Sequence, residues 1–295
     1  MIVALIEALR PWQWTKNLLV FAGVLFSQQL GSPDLLLRAA AGFIAFSLLS
    51  GSVYLVNDLA DLEADRRHPK KRKRPIASGR LPVAAGWIAL VPLLGIVVAI
   101  SMWLGSGFSI VVWSYFALNL AYSLGLKHQV LIDVFIIAIG FVMRAIAGVE
   151  LLQPVSPGTE LSPWLLVCTF FGALFLGLAK RRREVANAAG DATLQREVLE
   201  HYTPALLDGL LLVSAASSLM SYALYTIWPA TVAKFRTEAL LYTVPIVAYG
   251  IFRYLYLVRD SESTEDPAKV LLTDRPLAAC VLLYLVAVLL ILYRR

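Results

Sequence analysis

Nine apolar stretches, near residues 18–30, 36–57, 84–103, 107–125, 130–152, 163–180, 205–228, 238–258 and 276–293, divide this chain, and most can cross a bilayer as a helix. Hydrocarbon offers no water to satisfy backbone N–H and C=O groups, so a spanning segment must be a helix or part of a closed barrel. Composition agrees with spans: 59% of the 295 residues are hydrophobic and 16% charged, too apolar for an ordinary soluble domain of this size. The chain therefore reads as an all-α polytopic membrane protein with about nine transmembrane helices. No soluble domain, low-complexity segment or clear repeat interrupts the pattern, so residues 1–295 read as a single intramembrane domain.

The loops carry the topology. Arg10 and Lys16, the basic residues from Arg66 to Arg80, Lys127, Lys180 to Arg183 with Arg196, and Arg259, Lys269 and Arg275 fall on one side, 19 of the 26 Lys and Arg. Positive residues collect in cytoplasmic loops, which places the amino terminus inside and Arg294-Arg295 outside, in a plasma (inner) membrane of bacterial type. The net charge of +6 thus reflects short loops rather than a nucleic-acid surface. Cys168 and Cys280 lie far apart in apolar stretches and suggest neither a disulfide framework nor a metal cluster. The amino-terminal segment reads as retained, with Trp12 and Trp14 at the interface.

Every strong polar feature lies at the cytoplasmic end of a span. The first is Asn57-Asp58-Leu59-Ala60-Asp61-Leu62-Glu63-Ala64-Asp65, followed by a basic run through Arg74-Pro75 to Gly79. At about 100° per residue, positions 58, 61 and 65 share one narrow stripe of a helix. Three like charges there repel one another, and at a helix end they meet the negative end of its dipole, so something positive must neutralise them. A divalent metal carrying a diphosphate would do so, since magnesium takes oxygen ligands and commonly combines one or two carboxylates with phosphate and water. A solvated acidic helix end pairing with nearby arginines is the competing reading.

Three further groups share that side. Lys16-Asn17 follows Arg10-Pro11-Trp12-Gln13-Trp14-Thr15, although a lysine at a helix entry also serves as a topology signal. Tyr122-Ser123-Leu124-Gly125-Leu126-Lys127-His128 leads to Asp133; Lys127 and His128 suit a phosphate, with Asp133 ordering Lys127 or binding a hydroxyl, and a plain Lys–Asp pair explains them too. Lys180-Arg181-Arg182-Arg183-Glu184 closes the sixth stretch and either binds phosphate directly or anchors the helix. Arg144 stands mid-span, where a charge costs ~2.5–3.5 kcal/mol and asks for a partner. It lies ~25 Å of helix beyond Lys127 and is not assigned to the site.

Asn57 to Gly79 resembles the first aspartate-rich motif of the intramembrane UbiA prenyltransferase superfamily, and nine spans with charged loops resemble that fold. Aromatic prenyltransferases of the superfamily carry a second aspartate-rich motif after the sixth span, where this chain has Lys180 to Glu184. Together with Arg10 to Asn17, Tyr122 to Asp133 and Gly140-Phe141-Val142-Met143-Arg144-Ala145-Ile146-Ala147-Gly148, the chain resembles the decaprenyl-phosphate phosphoribosyltransferases over nearly its whole length. The resemblance implies a UbiA-like bundle and a magnesium-dependent enzyme. Its reaction would move 5-phosphoribose from phosphoribosyl diphosphate to a polyprenyl phosphate, releasing diphosphate, for cell-envelope pentose donors.

On that resemblance, Asp58, Asp61 and Asp65 hold Mg2+ and act with Lys127 in catalysis. Lys16, Asn17, Asn57, Lys71, Arg74, Tyr122, His128, Asp133, Lys180, Arg181 and Glu184 bind substrate. The partners are the two substrates and membrane lipids, not nucleic acid, with homo-oligomerisation left open. Two other readings stand beside it. An aromatic or tetrapyrrole prenyltransferase accounts for the first motif but not for the basic replacement of the second. A transporter or carrier of anionic lipids accounts for the spans but gives no reason for a compact carboxylate triad.

Overall fold

The computed structural model describes residues 1–69, 71–159, 162–188, 197–259, 270 and 273–293. Lys70, Arg196, Lys269, Arg294 and Arg295, counted above among the basic loop and tail residues, lie outside the described residues. The described elements are helices: α1 (Ile2–Ala8), α2 (Ala22–Phe26), α3 (Pro33–Ala60), α4 (Leu62–Arg67), α5 (Val83–Leu104), α6 (Ser106–Leu124), α7 (Ile132–Glu150), α8 (Pro163–Ala188), α9 (Pro204–Ile227), α10 (Pro229–Phe235), α11 (Val244–Arg259) and α12 (Arg275–Tyr293), with short 3-10 segments between several of them. Eight segments among the described residues are long and apolar enough to cross a membrane, within α3, α5, α6, α7, α8, α9, the stretch Ala239–Arg259 and α12.

The first apolar stretch takes another form. Pro11–Phe21 is a 3-10 helix and only Ala22–Phe26 continues as α-helix. Arg10 enters it at φ +52, ahead of Pro11. Its far end packs against the second half of α7 so closely that neither contact glycine has room for a side chain: a Cβ on Gly23 would lie 1.7 Å from the Gly148 carbonyl oxygen, and one on Gly148 would lie 2.3 Å from that of Val20. Such backbone approach is what small residues permit between helices in lipid.

The chain divides into two compact units, residues 1–127 with 143–159 and residues 128–142 with the described part of 160–295. In the first, α3 is the buried centre, whereas α5 and α6 turn Trp87, Ile88, Val91, Met102 and Ile110 outward. An exposed apolar face of this kind suits lipid rather than water. Phe46 packs edge-on against Phe108 and Tyr115, with ring centroids 6.0 and 5.3 Å away. A second cluster of Ala8, Leu55, Leu59, Ile76, Leu81 and Leu90 fastens the segment after α4 to the carboxyl end of α3. In the second unit, Val134, Ala138, Phe175, Leu178, Leu207 and Tyr254 share one core. Lipid is as apolar as these side chains, so close packing and buried polar bonds must hold the helices together.

Candidate active site

The acidic motif does not form one continuous stripe. α3 stops at Ala60, and Asp61 sits at φ −91 and ψ 12, in the bridge region, before α4 begins. The ladder is still linked, since the Asp61 N–H donates to the Asn57 carbonyl at 2.9 Å and the Asp65 N–H to the Asp61 carbonyl at 2.8 Å. The side chains nevertheless part company. Asp58 and Asp65 are buried, whereas Asp61 is partly exposed.

One guanidinium joins the two buried acids. Arg74 Nη1 donates to Asp58 Oδ1 at 3.1 Å and to Asp65 Oδ2 at 2.7 Å. Arg10 Nη2 donates to the same Asp58 oxygen at 2.6 Å, with its guanidinium carbon 4.6 Å from the centre of the Tyr54 ring. Asp58 Oδ2 is buried with no hydrogen-bond partner. A buried carboxylate oxygen in that condition costs more than a typical hydrogen bond contributes. Asp61 gives both its oxygens to Lys127 Nζ, at 3.2 and 3.1 Å.

The expected three-carboxylate metal site is therefore narrowed. Among the described residues no group of three His, Cys, Asp or Glu side chains is placed to hold a metal ion. The Asp61 carboxylate is engaged by Lys127 instead. Asp58 and Asp65 do fit magnesium, which commonly takes one or two carboxylates beside phosphate oxygens and water. The unpartnered Asp58 oxygen is a donor that a cation would satisfy. Arginine pairing, the competing reading of this motif, is also present, and on the same atoms.

Asn57 is half-buried on the last turn of α3, Tyr122 half-buried near the end of α6, and Lys71 half-buried with its backbone N–H 3.4 Å from His68 Nδ1. Lys16 is half-buried in the 3-10 helix. Its neighbour Asn17 is fully buried in another cluster of the first unit: its Oδ1 accepts from Arg144 Nε at 2.7 Å, and its Nδ2 donates to Ser47 and Ser50 at 3.2 and 3.3 Å. Arg144 also donates to the Tyr115 hydroxyl at 2.7 Å. The mid-span arginine thus ties α7 to the 3-10 helix through Asn17 and to α6 through Tyr115, while Asn17 itself reaches α3.

The second unit has its own charged cluster. Asp133 is wholly buried, accepting from Arg181 Nε at 2.7 Å on one oxygen and from the Tyr202 hydroxyl at 2.8 Å on the other. Tyr202 in turn accepts from the Leu131 N–H at 2.7 Å, which steadies Leu131 at φ +67. Burial pushes the Tyr202 phenol well above its usual pKa and keeps it a donor. Arg181 bonds Glu184 as well, and Lys180 stands 3.8 Å from Glu184. His128 is exposed in the 3-10 turn before α7. Lys180 and Arg181 are thereby separated: the arginine side chain is 2% exposed, the lysine 42%.

Three residues at these clusters escape a reading of the sequence. Arg10 looked like a loop cation, and only the Pro-Trp segment after it marked the region. Arg144 announced a need for a partner without naming Asn17. Nothing in sequence singles out Tyr202.

The chain belongs to the UbiA prenyltransferase family, whose model matches residues 17–275. Decaprenyl-phosphate phosphoribosyltransferase of Mycolicibacterium smegmatis is 36% identical over 289 residues, covering 94% of this chain and 88% of that protein. The protein of the same description from Corynebacterium glutamicum is 35% identical over 296 residues, covering 98% and 86%. A UbiA homologue from Archaeoglobus fulgidus, solved with DMAPP and Mg2+, shares the fold with a TM-score of 0.72 at 17% identity, over 98% of this chain and 99% of that one.

Proposed function

We propose that this chain is a magnesium-dependent transferase that moves 5-phosphoribose from phosphoribosyl diphosphate to a polyprenyl phosphate and releases diphosphate. Its likeness to decaprenyl-phosphate phosphoribosyltransferases over nearly the full chain carries the reading. The charge pattern supports it, because the last turns of α8 carry Lys180 to Arg183, cations suited to phosphate, where an aromatic prenyltransferase would place acids for a second metal.

Asp58 and Asp65 would hold the metal, which when bound neutralises charge on the diphosphate leaving group. Arg10 and Arg74 bond these acids and Lys127 bonds Asp61, and the three cations orient donor phosphates, with Lys71 nearby in sequence. In the second unit, exposed Lys180 meets phosphate while Asp133, Arg181 and Glu184 brace the helix that carries it. An acceptor phosphate is anionic at neutral pH, so attack needs no general base; positioning and charge neutralisation supply most of the catalysis. The whole chain serves one transferase activity in the plasma membrane, with the acidic cluster at the cytoplasmic face and the isoprenoid tail in lipid.

Purified protein with Mg2+, labelled phosphoribosyl diphosphate and polyprenyl phosphate should give a lipid-linked label, inverted at the anomeric carbon. Retained configuration would sink the direct displacement. Prenyl transfer to an aromatic acceptor with no sugar transfer would replace the assignment.

A further inference from the structure

The geometry points to Arg74 as an exchange residue: its guanidinium and a divalent cation compete for Asp58 and Asp65, so that cation binding hands Arg74 over to the diphosphate. The inference rests on the metal-holding reading of Asp58 and Asp65 given above and adds to it a second role for that metal, the release of Arg74.

Four observations carry it. Arg74 Nη1 touches both acids, at 3.1 and 2.7 Å. The acids are 2% exposed while Arg74 is 29% exposed, so the cation rather than the carboxylates has room to leave. Asp58 Oδ2 is buried without a partner, an oxygen from which a second cation can gain a foothold before Arg74 departs. Arg10 remains on Asp58 Oδ1 at 2.6 Å and limits the charge left uncompensated during the exchange.

The chemistry of the two cations makes the exchange directional. Magnesium holds its oxygens at ~2.0–2.1 Å, closer than a guanidinium can approach, and carries twice the charge. Arginine in turn matches phosphate with a planar fork of donors, which carboxylates fixed on separate helices cannot both use edge-on. Each cation therefore ends on the partner it fits better. An arginine held by two acids is also withheld from phosphate, so the site would take up diphosphate and metal together rather than phosphate alone.

The test uses full-length protein in detergent, with Mn2+ as a spectroscopic probe of the metal and inorganic pyrophosphate as the anion. Arg74→Gln should bind Mn2+ without any phosphate about tenfold more tightly than wild type, while its affinity for pyrophosphate at saturating Mn2+ falls roughly ten- to a hundredfold, the loss of one or two charge-assisted bonds. Loss of one positive charge would by itself strengthen Mn2+ binding and weaken pyrophosphate binding, so the charge-preserving Arg74→Lys carries the distinction: competition for the two oxygens predicts a gain in Mn2+ affinity there too, and a simple field effect predicts none. Unchanged or weaker Mn2+ binding in Arg74→Gln overturns the proposal. Should that variant fail to assemble, Arg74→Lys answers the same question, its compact ammonium competing less well for two separated oxygens and so raising Mn2+ affinity by a smaller factor. Asp58→Asn and Asp65→Asn test the footing separately: Mn2+ affinity undiminished in both would remove the metal-holding reading itself, whereas weakened binding there with no gain in the Arg74 variants removes the exchange alone.

Discussion

The two units each bury a pair of opposite charges, and they finish the job differently. Asp133 has both oxygens taken, by Arg181 and Tyr202, and Arg181 is closed off on its other side by Glu184. Asp58 keeps one oxygen unpartnered, and its two arginines stay partly open to solvent. A saturated buried pair is expensive to disturb and offers nothing to a ligand, which suits a brace. An unsaturated pair stores an unmet demand for positive charge, which suits a site that must take up a cation. Burial of charge is common to both clusters, and of Asp58 and Asp133 only Asp58 has an unpartnered oxygen; the proposed function rests on that difference.

The sharpest way to break this comparison is at Asp58. Replacing it with Asn preserves shape and removes the charge, and the same change at Asp65 does likewise. Each should lower transfer by about a hundred- to a thousandfold, the scale on which one preorganised electrostatic contact acts in catalysis. Thermal unfolding should shift little, since Arg74 and Arg10 can turn to solvent. Near-normal turnover in both variants would show that the open pair is only an acidic helix end.

Arg181 should give the reverse pattern. Arg181→Met leaves Asp133 buried beside Tyr202 without its cation, a loss of about 3–5 kcal/mol for a broken buried pair. The double change Asp133→Leu with Arg181→Met should recover part of that, because Asp133 is then no longer stranded, while Glu184 keeps only the longer pair with Lys180. Unfolding temperatures of the three proteins decide the matter. If Arg181→Met unfolds like wild type and loses only donor affinity, the second cluster is a binding site and the contrast between the units fails.

Lys180 is the adjacent control. Its side chain is 42% exposed and its ion pair with Glu184 is long, at 3.8 Å, so Lys180→Ala should cost far less stability than Arg181→Met. A lost contact to phosphate should raise KM for phosphoribosyl diphosphate about tenfold with kcat less affected. Unchanged kinetics in correctly inserted protein would reduce Lys180 to an anchor.

Much of this architecture is legible in the sequence, and what is not legible shares a cause. The stretches 36–57, 84–103 and 107–125 became Pro33–Ala60, Val83–Leu104 and Ser106–Leu124, because length and apolarity fix a helix in lipid whatever it packs against. The first stretch is not one spanning helix: it begins in the 3-10 helix Pro11–Phe21 and continues as α-helix only over Ala22–Phe26, where Gly23 meets Gly148 backbone to backbone, a tertiary contact with no periodic signature. The position of the acidic motif could be read, but its internal pairing could not. A stripe at positions 58, 61 and 65 presumes one unbroken helix, and the chain turns at Asp61. Arg10 with Asp58, Asn17 with Arg144 and Tyr202 with Asp133 join residues far apart in sequence, where spacing says nothing.

The smallest expected effect lies outside both clusters, and it sharpens what burial contributes. Arg80 meets Glu7 with two good hydrogen bonds, at 2.6 and 2.9 Å, yet both side chains are well exposed. Geometry alone would rank this pair with Arg181 and Asp133. Solvent and salt screen it, and ordering two mobile side chains offsets most of the gain, so Glu7→Gln should barely shift the unfolding temperature at neutral pH. The hydrogen bond from Arg80 holds the Glu7 carboxyl below its usual pKa. Its small contribution is therefore present above the ordinary glutamate pKa and disappears as pH falls through the lowered folded value. Unfolding curves of wild type and Glu7→Gln should converge in acid, separate slightly toward neutrality, and converge again in high salt. A loss as large as that of Arg181→Met would show that bond geometry, not completeness of burial, sets the worth of charge pairs in this protein, and the distinction between its two clusters would lose its physical basis.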